Sequence, residues 1–103
     1  MATSKIKQSA FTDWDYIQSY PFTAPTDGIL RLFINPASAS GGFFRGYLNG
    51  SVSANNRIYC QTYCGEAETK DYTLKKGDVI GDNYATQNIS EWYGYFRKGG
   101  GNT

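Results

Sequence analysis

Histidine is absent from all 103 residues, which removes the commonest general base, the usual hydrolytic triads and most metal sites together. Cysteine occurs only twice, at Cys60 and Cys64. In an extended segment their Cα atoms stand about 13 Å apart, against a limit of roughly 7 Å for a disulfide, so both are expected as free thiols packed beside Ile58 and Thr62. Charge is scarce as well: charged residues make 18% of the chain and the formal net charge is +1. Lys75-Lys76 and Arg97-Lys98 are the only adjacent basic pairs, so no stripe tracks a phosphate backbone and nucleic acid is not an expected partner. No apolar run has bilayer-spanning length, and residues 1–8 lack the apolar centre of a signal peptide. Neither membrane insertion nor classical secretion is expected.

Aromatic side chains are what the chain has in excess: nine Tyr, six Phe and two Trp make 17% of it. Tyr joins apolar area to a polar tip and suits half-wet surfaces and interfaces. The clearest local pattern is Pro25-Thr26-Asp27-Gly28 leading into Ile29-Leu30-Arg31-Leu32-Phe33-Ile34 and stopped by Asn35-Pro36. Pro25 presets a turn, Asp27 can bond its own backbone, Gly28 can supply a positive φ, and the run that follows is β-rich. Leu30, Leu32 and Ile34 share one face of that strand, and Ile29, Arg31 and Phe33 share the other. Both faces are largely apolar, so the strand is expected to be covered on both sides.

Further strands are predicted at 43–48, 51–54, 57–64, 69–74, 79–80 and 89–97, with an edge piece near Trp14, Tyr16 and Gln18. Asn49-Gly50 is the strongest hairpin signal, and Lys75-Lys76-Gly77-Asp78 reads as a tight turn. Residues 36–42 read as a mobile surface loop and 81–88 as a polar stretch. About seven or eight short strands with turn signals roughly every ten residues, and no helical periodicity, define an all-β antiparallel sandwich or barrel. The expected organisation is a connecting segment and edge strand at 1–20, one domain at 21–98 and a flexible tail at 99–103.

Candidate chemistry is thin. Asp13 with Asp15, and Glu66 with Glu68, are spaced like acid and nucleophile pairs, but they sit in turns or chain ends where carboxylates are solvated. The 75–78 turn lacks the glycine spacing of a phosphate loop, and Asp78 and Asp82 form no spaced acidic loop for calcium. The Asn49-Gly50-Ser51 and Asn88-Ile89-Ser90 triplets read as chance matches to the glycosylation signal. No enzyme activity, cofactor or metal is expected.

Placing the aliphatic residues inward leaves Ile29/Phe33, Phe43/Tyr47, Tyr59/Tyr63 and Tyr93/Tyr95 on the opposite faces. These could belong to a closed core, to a subunit interface or to a sugar-stacking surface. The order of motifs, from Pro25-Thr26-Asp27-Gly28 through Asn49-Gly50 and Leu74-Lys75-Lys76-Gly77-Asp78 to Trp92-Tyr93-Gly94-Tyr95-Phe96, resembles the trimeric jelly-roll knobs of the C1q and tumour-necrosis-factor type, especially those of bacteriophage head and tail fibres. The resemblance implies a homotrimer on the virion, made in the host cytoplasm and attached to other virion proteins. It implies binding of a host-surface glycan or receptor. Phe33, Tyr47, Tyr59, Tyr63, Tyr93 and Tyr95 would then lie at the subunit interface, and Ser38, Ser40, Asp82, Asn83 and Tyr84 in ligand-binding loops. No collagen-like or coiled-coil run precedes the knob in this sequence, which leaves a fibre fragment open beside the alternatives of a structural capsid-decoration or trimerisation protein and a monomeric lectin-like domain.

Overall fold

The computed structural model describes residues 14–50 and 54–99. Nine strands form it: β1 (Asp15–Tyr16), β2 (Phe22–Thr23), β3 (Gly28–Pro36), β4 (Gly42–Tyr47), β5 (Arg57–Thr62), β6 (Glu68–Leu74), β7 (Val79–Ile80), β8 (Ala85–Gln87) and β9 (Ile89–Lys98). One sheet runs β1-β9-β3-β6, and opposite it stand the pair β2-β7 and the trio β5-β4-β8. The all-β sandwich expected from the turn spacing is what forms. Its pairing is nested: β4 pairs with β5, β3 with β6, β2 with β7 and β1 with β9, all antiparallel.

Strand β3 sits at the centre because both its faces can be packed. Leu30, Leu32 and Ile34 enter the core with Phe44, Ile58, Cys60, Leu74, Ile80 and Phe96. The other face carries a second cluster, in which Trp14, Tyr93 and Tyr95 are buried and Tyr16, Ile29 and Phe33 pack against them. The expected double cover therefore comes from the chain's own N-terminal strand. Gly28 is needed for a different reason from the one its turn suggested. It is not among the residues with positive φ; a Cβ there would run into the Arg97 carbonyl and the Phe96 ring. Asp27 likewise reaches away from its own turn, its Oδ1 accepting the Lys76 N–H at 2.9 Å.

Asn49 and Gly50 both have positive φ, at 57° and 71°, as a type I′ turn requires. Asn49 also ties the sheet fragments together: its N–H donates to the Val79 carbonyl at 2.7 Å, and its Oδ1 accepts the Val79 N–H at 2.8 Å. With the Leu48 to Ile80 bridge, β4 thus continues into contact with β7. Of the return strand expected at 51–54, residues 51–53 lie outside the described residues, and Ala54 begins a short 3-10 turn, Ala54–Asn56. Asp13, the segment 1–13 and residues 100–103 of the tail are also outside them. Cys64 departs from expectation: β5 ends at Thr62 and the chain turns at Gly65, whose φ is 77°, so Cys64 is exposed while Cys60 is buried, both as free thiols.

The edge of β5 facing β6 is closed by a side chain. Tyr72 Oη accepts the Tyr59 N–H at 2.8 Å and donates to the Tyr59 carbonyl at 2.9 Å. On the outer face of β3, the Arg31 guanidinium lies 4.4 Å from the Trp14 ring centroid. It donates from Nε and Nη2 to the two Asp71 carboxylate oxygens, each at 2.8 Å. This fork holds the Asp71 carboxyl below its ordinary value and the Arg31 guanidinium above it. A carboxylate with a depressed folded-state pKa contributes stability above its unfolded value, and that contribution is lost as pH falls through the folded one. The melting temperature of Asp71→Asn should therefore lie below that of the wild type at neutral pH, and the gap should close in acid. A half-exposed pair is worth about 0.2–1 kcal/mol, so the gap is small, and a gap unchanged at low pH would refute the assignment.

Candidate functional site

An aromatic-walled concavity opens between the β1/β9 edge and the segment before β8. Beyond β1, the Ile17 N–H donates to the Gly94 carbonyl at 2.9 Å, carrying the chain along β9. Tyr20 then lays its ring against Trp92, centroids 5.2 Å apart. Its hydroxyl reaches over Gly94, where any Cβ would collide with it. Trp92 is seated on buried Phe44 at 4.2 Å, and Tyr84 meets Trp92 edge-on at 4.8 Å and 68°. Three rings from separate segments thus form the walls, and Phe44 packs against two of them, Trp92 and Tyr84.

The resulting cleft holds about 190 Å³ and is lined by Tyr16, Ile17, Gln18, Tyr20, Tyr84, Trp92, Tyr93 and Gly94. None of the lining side chains carries a formal charge. Tyr84 is 44% exposed, whereas the Tyr20 hydroxyl is buried with no hydrogen-bond partner. Burial first, and then the neighbouring Tyr16 and Tyr84 phenols, push the Tyr20 pKa well up. It stays a neutral O–H. The cleft offers ring faces and the Gln18 amide, a set that suits the C–H face and hydroxyl edge of an uncharged polyol. Its volume is below the roughly 300–1,000 Å³ of pockets that enclose drug-sized ligands, so it takes one ring-sized group.

A second hollow of about 330 Å³ lies at the opposite side, between β5 and β6, lined by Tyr59, Cys60, Gln61, Tyr63, Glu68, Thr69 and Lys70. Tyr63 is 78% exposed there and donates its hydroxyl to Gln61 Oε1 at 2.9 Å. The Cys60 thiol is pushed up to about 11, by burial and then by Glu68, which leaves it a poor nucleophile. Among the described residues no group of three or more His, Cys, Asp or Glu is placed to hold a metal.

No protein-family model, curated protein or solved structure matches this chain. Its function must be read from its own geometry.

The residues expected at a subunit interface do not form one patch. Phe33, Tyr93 and Tyr95 belong to the outer face of the β1-β9-β3-β6 sheet, Phe33 stacking on Tyr93 at 6.0 Å and 10°. Tyr47 and Tyr59 lie on β4 and β5 of the opposing layer, with Tyr63 just past β5. Tyr95 is only 1% exposed, so it has no surface left for a partner; burial and then Tyr16 push its phenol up to about 12. Of the expected ligand residues only Tyr84 lines the cleft. Asp82 and Asn83 precede it on the exposed connection.

Ser38 and Ser40 sit on a loop that is fastened where mobility was expected. Asn88 Nδ2 lies 3.0 Å from Ser38 Oγ and donates to the Ser40 and Gly41 carbonyls at 3.2 and 3.0 Å. That amide is thereby committed to the loop. Tyr16, Gln18, Tyr20 and Trp92 were not singled out as ligand residues. The one signal for them was Gly94 inside an aromatic strand, since glycine there marks a close approach by another group.

Proposed function

We propose that the chain is a non-enzymatic saccharide-binding β-sandwich of jelly-roll winding, carried as a homotrimer on a virion surface in the manner of phage fibre knobs. The winding is supported by the nested pairs. If β7 and β8 count as one interrupted strand, the layers read 1-9-3-6 and 2-(7,8)-4-5. Wrapping a single antiparallel ribbon into two Greek keys leaves that order. The virion setting and threefold assembly rest on the motif order from Pro25-Thr26-Asp27-Gly28 to Trp92-Tyr93-Gly94-Tyr95-Phe96.

The observation that carries the binding reading is the uncharged cleft walled by the rings of Tyr20, Trp92 and Tyr84. Screening host-surface glycans by Trp fluorescence, on a sample whose mass is fixed by light scattering, tests it directly. A saccharide that perturbs the emission should lose about tenfold in affinity to Tyr84→Ala, the scale of a contact residue at the heart of an interface. Because Tyr84 is half exposed, the variant should melt close to the wild type. Failure of every glycan to bind, or full affinity in Tyr84→Ala, would remove the cleft from consideration.

A further inference from the structure

The outer face of β4 and β5 presents a different chemistry. Phe43 and Tyr59 stack with centroids 5.6 Å apart at 25°. The Arg45 guanidinium lies 5.5 Å over the Phe43 ring and that of Arg57 5.2 Å over Tyr59. In the register Arg45 faces Tyr59 and Arg57 faces Tyr47, which makes the two arginines diagonal neighbours, about 7–8 Å apart. β4, β5 and β8 contain no Asp or Glu. Among the described residues neither arginine makes an ion pair, and Arg45 Nε is buried without a hydrogen-bond partner.

Two guanidiniums on one face, with no carboxylate on its three strands, leave positive charge there uncompensated until an anion arrives. Docking a second copy face to face about a twofold axis would set this positive patch against itself and add to the repulsion. We propose that this face is a second binding surface, one that takes the carboxylate groups of an acidic polysaccharide. The reading of the cleft as saccharide-binding supplies the ligand class, and the arginines narrow it.

Arg57 is exposed and its guanidinium N–H groups are open to a carboxylate, which they can meet in bidentate fashion; Arg45, half-buried beside Phe43, adds its positive charge. Phe43 and Tyr59 stack on one another, which takes up one of the ring faces a nucleobase would need on each. Gln61 and Gln87 flank Phe43 across the register and supply amides for sugar hydroxyls. Tyr59 and Gln61 also border the hollow between β5 and β6, so a chain bound on this face has a neighbouring recess.

Affinity electrophoresis of the full chain through gels containing polygalacturonate, or the same polymer with its carboxyls reduced, tests the proposal. The wild type should be retarded by the first and not by the second. Arg57→Gln, at an exposed position, should lose about tenfold in affinity, the value of one charge-assisted pair. Lys75→Gln/Lys76→Gln, which removes two charges elsewhere, should bind as the wild type does. Equal loss in the lysine variant would show diffuse charge attraction and overturn the proposal. So would no retardation, equal retardation by the reduced polymer, or tighter Arg57-dependent binding of polythymidylate. Tyr84→Ala separates the two surfaces: it should leave polygalacturonate binding intact, and that result would stand even if no glycan entered the cleft.

Discussion

Phe44→Ala should lower the unfolding free energy by about 3–5 kcal/mol, the usual cost of emptying a fully buried aromatic site. For a domain of this size that is roughly 15–30 °C in the melting midpoint. Phe44 is 1% exposed and supports two rings from different segments, Trp92 at 4.2 Å and Tyr84 at 5.5 Å. Its removal leaves a void at the junction of the layers and withdraws the support on which Trp92 and Tyr84 rest. Chemical denaturation read by Trp fluorescence should show the lower midpoint, and any saccharide response should disappear with it, even well below the transition. Phe44→Leu, which leaves a smaller void, should lose less of both. A midpoint for Phe44→Ala within a few degrees of the wild type would mean that this layer is not the core described above.

Gly42→Ala is the second large effect. Gly42 is buried at the start of β4, and a Cβ there would lie 2.5 Å from the carbonyl oxygens of both Gln87 and Asn88. Backbone cannot swing aside as the end of a long side chain does. Relief would have to part β4 from the β8–β9 corner, at a cost of about 2–3 kcal/mol. That corner carries the Asn88 amide which fastens the loop holding Ser38 and Ser40, so amide exchange in the loop should quicken along with the loss of stability. Gly81→Ala is the contrast. Only the Asn83 nitrogen, at 3.8 Å, lies near a Cβ there, and no positive φ is involved. The change should be neutral or stabilising by up to about 1 kcal/mol, because it restricts the unfolded chain. Equal melting temperatures for the two variants would refute the steric account.

The elements governed by neighbours in sequence were legible in advance. The alternation in β3, the Asn49-Gly50 turn and the Lys75 to Asp78 turn are local patterns, and each formed where its residues placed it. What covers a strand is not local. Trp14 and Tyr16 come from the opposite end of the chain to Tyr93 and Tyr95, through the Tyr16 to Tyr95 register. Without that pairing Tyr95 looked like a residue awaiting a partner. β8 escaped notice for a related reason: Ala85, Thr86 and Gln87 are all exposed and have no alternation to read. The cleft was half visible. The resemblance puts Tyr84 in a ligand-binding loop, but only the fold packs it on Trp92 and Phe44 and sets Tyr20 against Trp92 as well.

The phenol of Tyr72 has a bearing on how densely this domain can be displayed. An open strand edge is a template for another chain, and crowding many copies together multiplies the chances of templating. At Tyr59 both backbone groups are already taken by one side chain, while β6 turns Glu68, Lys70 and Asp71 to solvent. Many copies held side by side, as the proposed virion setting would hold them, would find no open template at this point of β5.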